Sequence, residues 1–373
     1  MSAALDMTVW SGRCVPVTAW PARDQAAWAT ALVAGNPFEP GGLAARWAPA
    51  TRWMVANGYG LWLTWLTDRG WLDLQQPPEV RITKERVAAY VAGLKPGRSP
   101  FTVQARVQQL GDALRAMAPK GDWRWILRGA SRLRSRAVSV RNKRSRLRTP
   151  AELAELGDRL MAQANGSTTA AARDYRDGLI IKLLAHRPIR ARNLTAITCG
   201  QHLVCRGATW WLQFSAAETK TPQPLEFPLP ANLAPQLELY LAHWRPLLLT
   251  RAGRQAAAAT SALWISSIST PMVYASISHQ VRRHTRAAFG AAINPHLFRD
   301  CAATSIAIVD PEHVHIIMDI LGHSTLATSE RHYNQARGLE AGRRYQGTIK
   351  ALRARGAAAN DRRGLAIDKR RPA

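Results

Sequence analysis

The second half of the sequence holds a set of side chains that could do chemistry together. The set contains two arginines, a lysine, two histidines and a tyrosine: Arg190, Lys220, His296, Arg299, His323 and Tyr333. Guanidinium groups hold anionic oxygens in a bidentate fork, imidazoles exchange protons near neutral pH, and a tyrosine hydroxyl can act as a covalent nucleophile. Such a set would suit a reaction at a phosphate group.

The first two members follow apolar segments that would anchor them. Arg190 comes at the end of an apolar helix predicted over about 170 to 187. Lys220 lies in the polar turn 218–222, between strands predicted over Thr209 to Phe214 and Pro224 to Phe227. Taken alone, both residues are ordinary, since a helix-end arginine usually contacts backbone carbonyls and hairpin lysines are common.

The remaining four members come from two compact motifs. His296 and Arg299 open a helix and lie three residues apart, which places them on one helical face. The second motif is Leu-Gly-His-Ser around His323, where the glycine can end one helix and either Ser324 or Thr325 can cap the next. Tyr333 follows ten residues later.

In its order and gaps, this series resembles the active-site set of the tyrosine recombinase (phage integrase) family. The resemblance covers about 150 to 345 well, and its two closing motifs are specific when they occur together. Three positions depart from the family pattern. Pro188 stands in place of a usual glycine, Asn193 in place of an acidic residue, and Asp300 in place of a frequent histidine. None of these departures removes a catalytic side chain.

The resemblance implies a role for each residue. Arg190 and Arg299 would stabilise the extra negative charge of a phosphorane-like transition state. Tyr333 would be the nucleophile and would stay attached to the 3′ phosphate, while Lys220 would be the general acid for the leaving 5′ oxygen. The two histidines of the set would donate hydrogen bonds to the phosphate or assist proton transfer.

Several neighbours could replace these assignments. The alternatives are Arg187 or Arg192 for the first arginine, Lys182 for the lysine and Tyr345 for the nucleophile. Lys182 lies inside an apolar helix and is expected to extend its amine to the surface. His332 is expected to contact the DNA backbone or solvent rather than to take part in catalysis.

Composition supports a nucleic-acid partner. The 373 residues include 51 Lys and Arg against 25 Asp and Glu, giving a net charge of +26 and a pI near 11.3. An excess of this size favours a polyanion, because each neutralised phosphate releases counterions. A ribosome-associated protein, or a basic protein from an arginine-rich genome, would show the same charge.

Other classes of protein are not indicated. Four cysteines (Cys14, Cys199, Cys205 and Cys301) lack the spacing of a zinc site or a disulfide framework. No acidic metal cluster stands out, so neither a metal nor a cofactor is expected. The N-terminus does not look like a signal peptide, and no run of about 18 apolar residues predicts a membrane span. We expect a cytoplasmic, nucleoid-associated protein.

The chain length predicts more than one domain. We predict a mainly α-helical protein with a small β-sheet, in five parts. These are an N-terminal extension (1–42), a helical core-binding (SAM-like) DNA-binding domain (43–128), a basic linker (129–148), a catalytic domain (149–350) and a basic, disordered tail (351–373). A capping box at 149–152 would start the catalytic domain. The linker supplies predicted DNA-phosphate contacts: Arg132, Arg134, Arg136, Arg141, Lys143, Arg144, Arg146 and Arg148.

The resulting hypothesis is a site-specific recombinase that acts on double-stranded DNA as a homotetramer. A C-terminal helix over about Gly338 to Arg353 would dock on a neighbouring protomer, and accessory DNA-bending proteins could assist. Two alternatives stay open: a catalytically silent DNA-binding protein of the same fold, and an enzyme similar to type IB topoisomerases. The sequence does not identify the recombination site, nor does it separate integration by a mobile genetic element from excision, transposition or dimer resolution.

Overall fold

The structure is a computed structural model that describes residues 14–138, 143–219, 223–250, 260–309, 346–350 and 352. Its contacts divide the chain into two compact units, Met1–Asn142 and Lys143–Ala373. Within the described residues, no helix is both long enough and apolar enough to cross a membrane.

The first unit is helical. Its helices are α1 (Ala22–Ala31), α2 (Pro49–Asp68), α3 (Lys84–Leu94), α4 (Pro100–Met117) and α5 (Arg124–Ser135). Thr83 and Ser99 cap α3 and α4 by accepting hydrogen bonds from the backbone N–H groups of Arg86 and Thr102. The predicted basic linker therefore begins inside a helix, since α5 continues to Ser135.

Aromatic side chains fill the core of the first unit. Trp62 and Trp65 stack at 5.1 Å, and Tyr90 meets both rings edge-on. Trp20 and Trp28 belong to the same core, although they precede the predicted start of the helical domain. The segment around α1 is thus packed into this unit.

A buried ion pair connects α1 to the loop before α3. Both oxygens of the Asp24 carboxylate accept from Arg81 Nη1, at 2.7 and 2.9 Å, and both side chains are fully buried. The hydroxyl of Tyr59 on α2 donates to the same carboxylate. This network satisfies charges that would otherwise be costly to bury.

The second unit begins with the predicted capping box, which is confirmed. The Thr149 hydroxyl accepts from the Glu152 N–H, and the Glu152 carboxylate accepts from the Thr149 N–H. The helices that follow are α6 (Pro150–Gln163), α7 (Thr169–His186), α8 (Ala191–Ala196), α9 (Ala234–Leu239), α10 (Arg245–Leu249), α11 (Tyr274–Phe289) and α12 (Pro295–Val309). A π-helical turn, Tyr240–Trp244, joins α9 to α10.

The core of this unit is built around α7. Gly157 on α6 and Gly178 on α7 let the two helices approach closely, since a Cβ at Gly157 would lie 2.7 Å from the Gly178 carbonyl oxygen. The apolar residues of α7 are buried on nearly all sides. This helix leads directly into the segment that carries Arg190.

The small sheet is antiparallel and has the order β1-β2-β3. Its strands are β1 (Leu203–Arg206), β2 (Thr209–Phe214) and β3 (Leu225–Pro228), with Leu212 opposite both Leu203 and Phe227. The sequence predicted β2 and β3 but not β1. Gly207, at φ 60°, forms the turn that joins β1 to β2.

Candidate active site

Arg190 is placed by the start of α8. It is the N-cap residue, with an extended backbone (φ −65°, ψ 145°), and it follows the buried Pro188 and Ile189. Its side chain is half-buried, and this burial lowers the pKa of the guanidinium. A charged side chain has therefore been partly desolvated at a helix start.

Arg299 lies on α12 beside the same segment. It is buried, and its Nη1 donates to the carbonyl oxygen of Pro188 over 2.8 Å. Burial, and next the positive charge of Arg190, lower the pKa of Arg299 to about 10. The two guanidiniums thus lie close enough to repel each other, and an anion between them would relieve that repulsion.

His296 lies one turn before Asp300 on α12 and within electrostatic reach of both arginines. Burial is the main cause that lowers its pKa, and Arg299, Lys143 and Arg190 act in the same direction. Asp300 opposes this shift. The imidazole is therefore neutral near pH 7, with one nitrogen able to accept a proton. Three of the six predicted catalytic side chains come together here.

The other three predicted residues, Lys220, His323 and Tyr333, lie outside the described residues, as does Tyr345. The chain on either side of Lys220 is described. The Thr219 hydroxyl donates to the Gln223 carbonyl oxygen at 2.8 Å, which joins the two ends of the turn. Asn193 Nδ2 on α8 donates to the Glu218 carbonyl oxygen at 3.4 Å. The turn before Lys220 is therefore attached to α8, the helix that directly follows Arg190.

A buried histidine, which sequence reasoning missed, strengthens this attachment. His202 is 5% exposed, and its Nε2 lies 2.8 Å from the Glu218 carboxylate. Its Nδ1 lies 2.7 Å from the Thr198 hydroxyl. Hydrogen bonds from Ser215 and His202 hold the pKa of Glu218 at about 2. The signal available in the sequence was weak, because His202 lies in a turn just before the unpredicted strand β1, 16 residues before its partner.

The alternative cations have other partners. Arg187 lies over the Phe227 ring at 5.0 Å and donates to the Pro228 carbonyl oxygen at 3.3 Å, and Arg192 is exposed. The expectation that Lys182 extends to the surface is wrong: it is 4% exposed, and its Nζ lies 2.6 Å from Asp158. Asp158 supplies a negative charge next to the buried amine, so the Lys182 side chain does not extend to the surface.

The residues of the basic linker that were predicted to contact DNA lie on different elements and have different partners. Arg132 and Arg134 lie on α5, Arg136 is its C-cap residue, and Arg134 lies over Phe101 at 5.7 Å. Lys143 pairs with Asp300. Arg148 packs on Phe289 at 5.3 Å and donates to backbone carbonyls. Arg141 and the side chain of Arg144 lie outside the described part of the chain, and Arg146 has an intermediate exposure.

A second basic surface was missed by sequence reasoning. We call it the basic face of α11; it consists of His279, Arg282, Arg283 and Arg286, which line a cavity of about 410 Å³. Their spacing of three and four residues is that of one helical face, and this pattern was visible in the sequence.

One group in the described part of the chain has the composition of a metal site. Ligand atoms of Asp174, Asp177 and His284 lie within 4.8 Å of one another. Arg176, however, already donates to Asp177 at 2.6 and 2.9 Å. Arg283 lies within 3.8 Å of both carboxylates. Two guanidiniums thus neutralise the cluster, which acts as a link between α7 and α11.

Comparisons with known proteins identify the fold. No protein-family model and no curated protein matches the sequence. Among solved structures, the XerH site-specific recombinase bound to difH substrate in a pre-cleavage complex matches with a TM-score of 0.52 and 16% identity, over 79% of each chain. The post-cleavage complex of XerH with palindromic difH matches with a TM-score of 0.53 and 16% identity, over 80% of each chain. This chain therefore has the tyrosine recombinase fold, mainly α-helical with one small antiparallel sheet, as the sequence predicted.

Proposed function

We propose that this protein is a site-specific DNA recombinase that cleaves and rejoins DNA strands through a 3′-phosphotyrosyl bond at Tyr333. The observation that carries the proposal is the meeting of Arg190, Arg299 and His296 in a chain with the recombinase fold. Two partly desolvated guanidiniums form a strong binding site for a phosphate that gains charge in the transition state.

Each described side chain then has a task. Arg190 and Arg299 bind the non-bridging oxygens of the scissile phosphate. The carbonyl of Pro188 orients Arg299 by accepting from its Nη1. A neutral His296 can donate a hydrogen bond to the phosphate or take part in the proton transfer from tyrosine.

The remaining steps belong to residues known here from sequence alone. Tyr333 attacks the phosphorus and forms the covalent bond, and Lys220 protonates the 5′ oxygen as it leaves. His323 supports the phosphate as a further hydrogen-bond donor. Attack of that 5′ hydroxyl, or of one from another duplex, on the phosphotyrosine reseals the strand.

Double-stranded DNA is the proposed partner. The net charge of +26 supports it, as do the basic face of α11 and the cations of the linker. We further propose that 43–128 forms the core-binding domain, that 149–350 forms the catalytic domain, and that four protomers act on two duplexes. The proposed setting is the cytoplasm, with accessory DNA-bending proteins as further partners, and the proposal covers integration by a mobile genetic element, excision, transposition and dimer resolution alike.

A nicked suicide substrate tests the proposal. Wild type and Tyr333→Phe are incubated in EDTA with nicked DNA that carries the end sequence of the genetic element encoding the protein, and the products are separated on a denaturing gel. A covalent protein–DNA band is expected with wild type and not with the variant. A band that persists in Tyr333→Phe would move the nucleophile to Tyr345.

Two other results would change the function assigned. Tight binding without a covalent band in either protein would favour a catalytically silent DNA-binding protein. Relaxation of supercoiled DNA of any sequence would favour an activity of the type IB topoisomerase kind.

A further inference from the structure

A carboxylate lies beside the proposed phosphate site. Asp300 directly follows Arg299 on α12 and stands one turn after His296, and its side chain is only 16% exposed. Its negative charge acts on both neighbours, since it opposes the lowering of their pKa values. A carboxylate in this position competes with an incoming phosphate for the same cations.

Lys143 contacts this carboxylate from the start of the second unit. Its Nζ lies 3.1 Å from Asp300 Oδ2, and 55% of its side chain is exposed. The charge of Lys143 also reaches His296. The lysine was predicted from sequence to contact DNA, but in the structure it is bound to an acidic residue next to the catalytic arginine.

We propose that Lys143 is a positioning residue, which holds the Asp300 carboxylate so that it does not draw Arg299 and His296 away from the DNA phosphate. The inference rests on the proposed function. Arg190 and Arg299 bring two positive charges to the site, Asp300 cancels one, and Lys143 restores it. Without Lys143, the charge of Asp300 would act on Arg299 and His296 without this counter-charge beside it.

This role differs from a direct contact between Lys143 and DNA. A direct contact would persist whether or not residue 300 is acidic, and its loss would lower the salt dependence of binding by about one phosphate equivalent. A role that acts through Asp300 vanishes when Asp300 is made neutral. The two readings therefore predict opposite results in a double-mutant cycle.

The experiment compares single-turnover rates of covalent complex formation on nicked DNA at saturating protein. The variants are Lys143→Met, Lys143→Arg, Asp300→Asn and the double variant Lys143→Met with Asp300→Asn. Arg159→Met is the matched control, because it removes an exposed cation from an ion pair with Glu155 on α6.

We expect Lys143→Met to slow the rate roughly threefold to tenfold, on the scale of one charge near the site. Lys143→Arg and Arg159→Met should stay within about twofold of wild type, since charge at the site is kept. In the Asp300→Asn background, adding Lys143→Met should change the rate by less than about twofold. An equal loss in both backgrounds, or no loss in Lys143→Met, would overturn the inference.

Failure of the proposed function is distinguishable from failure of this inference. If wild type gives no covalent band, the proposed recombinase function is wrong. The affinity of the same four variants for nicked DNA is then measured by fluorescence anisotropy. Weaker binding by Lys143→Met that Asp300→Asn abolishes would still support the role of Lys143. A loss of affinity that is the same in both backgrounds would make the lysine a direct phosphate contact.

Discussion

Arg299 donates a hydrogen bond from Nη1 to the carbonyl oxygen of Pro188, two residues before Arg190. Helix α12 is thereby fastened to the segment that leads into α8, and the two arginines, 109 positions apart in sequence, are set beside each other. The proline that departs from the family pattern provides the acceptor through its backbone, so the departure leaves this contact intact.

Arg299→Lys should abolish most cleavage while the fold is kept. A lysine can donate to the Pro188 carbonyl or bind the phosphate, but it lacks the fork that does both. We expect a fall of roughly a hundredfold or more in the single-turnover rate, on the scale of one lost transition-state donor. Arg187→Lys is the control, since it keeps the cation over Phe227. Equal losses in the two variants would argue against a specific role for Arg299.

Arg190→Ala and Arg192→Ala should behave differently. The half-buried Arg190 lies beside Arg299, whereas Arg192 is exposed. Removing the first should eliminate the covalent band on nicked DNA, with a loss of roughly a hundredfold, and removing the second should reduce overall DNA affinity only slightly. If Arg192→Ala lost the covalent band and Arg190→Ala kept it, Arg192 rather than Arg190 would be the first arginine of the catalytic set.

His202→Ala should slow cleavage by loosening the turn that carries Lys220. The histidine holds Glu218, and the Cα of residue 220 can lie no more than about 7.6 Å from that of residue 218. We expect roughly a tenfold loss, as for a misplaced general acid. The measurement uses paired substrates, one of them with sulfur in place of the leaving 5′ oxygen. The sulfur leaves as a thiolate, and because an ordinary thiol has a pKa of about 8.5, this leaving group needs no general acid.

The sulfur substrate should therefore rescue His202→Ala and Lys220→Ala alike. It should not rescue Arg190→Ala, which acts on the non-bridging oxygens. Glu218→Gln is the conservative variant and should lie between wild type and His202→Ala, because the amide keeps one hydrogen bond without the charge. A His202→Ala defect that is the same on both substrates would mean a purely structural role.

Stability should fall as the pH is lowered below neutrality, in part because of His296. Its folded pKa is depressed, chiefly by burial, below the ordinary value of 6.5. The unfolded chain therefore binds more protons in this window. The stabilisation is fully present above pH 6.5 and is lost as the pH falls through the folded pKa.

Urea unfolding between about pH 8 and 5 checks this, with His296→Gln as the comparison. The variant should show a shallower dependence of the free energy of unfolding on pH. Since the pKa of His186 is also lowered by burial, some dependence should remain. If His296→Gln had the same dependence of the free energy of unfolding on pH as wild type, the pKa of His296 would not be lowered in the folded state.

Asp24→Asn should destabilise the first unit strongly. The substitution leaves the Arg81 guanidinium fully buried without its counter-charge, and breaking such a pair typically costs about 3–5 kcal/mol. Urea unfolding followed by tryptophan fluorescence reports on it, because Trp20 and Trp28 pack in the same core. Asp122→Asn, which loses an exposed pair with Arg124, should change little. A similarly small effect of Asp24→Asn would mean that Arg81 finds new acceptors.

Local sequence features alone determined several elements of this protein. The capping box at Thr149 and Glu152 marked the start of α6, and the spacing of His296 and Arg299 placed both on one helix. Such signals depend on residues within one or two turns of each other, so they can be read without a fold. The order of the predicted catalytic motifs, taken as a resemblance, was sufficient to predict the fold that the comparisons with solved structures confirm.

Tertiary structure decided the relationships between distant segments. The bond from Arg299 to Pro188, the pair of Lys143 with Asp300, and the contact of His202 with Glu218 join residues from separate elements. No local pattern encodes these contacts, because the partner is set by packing around α7 and the sheet rather than by chain proximity. Burial is likewise a property of the folded unit, and it is burial that depresses the pKa values of Arg299 and His296.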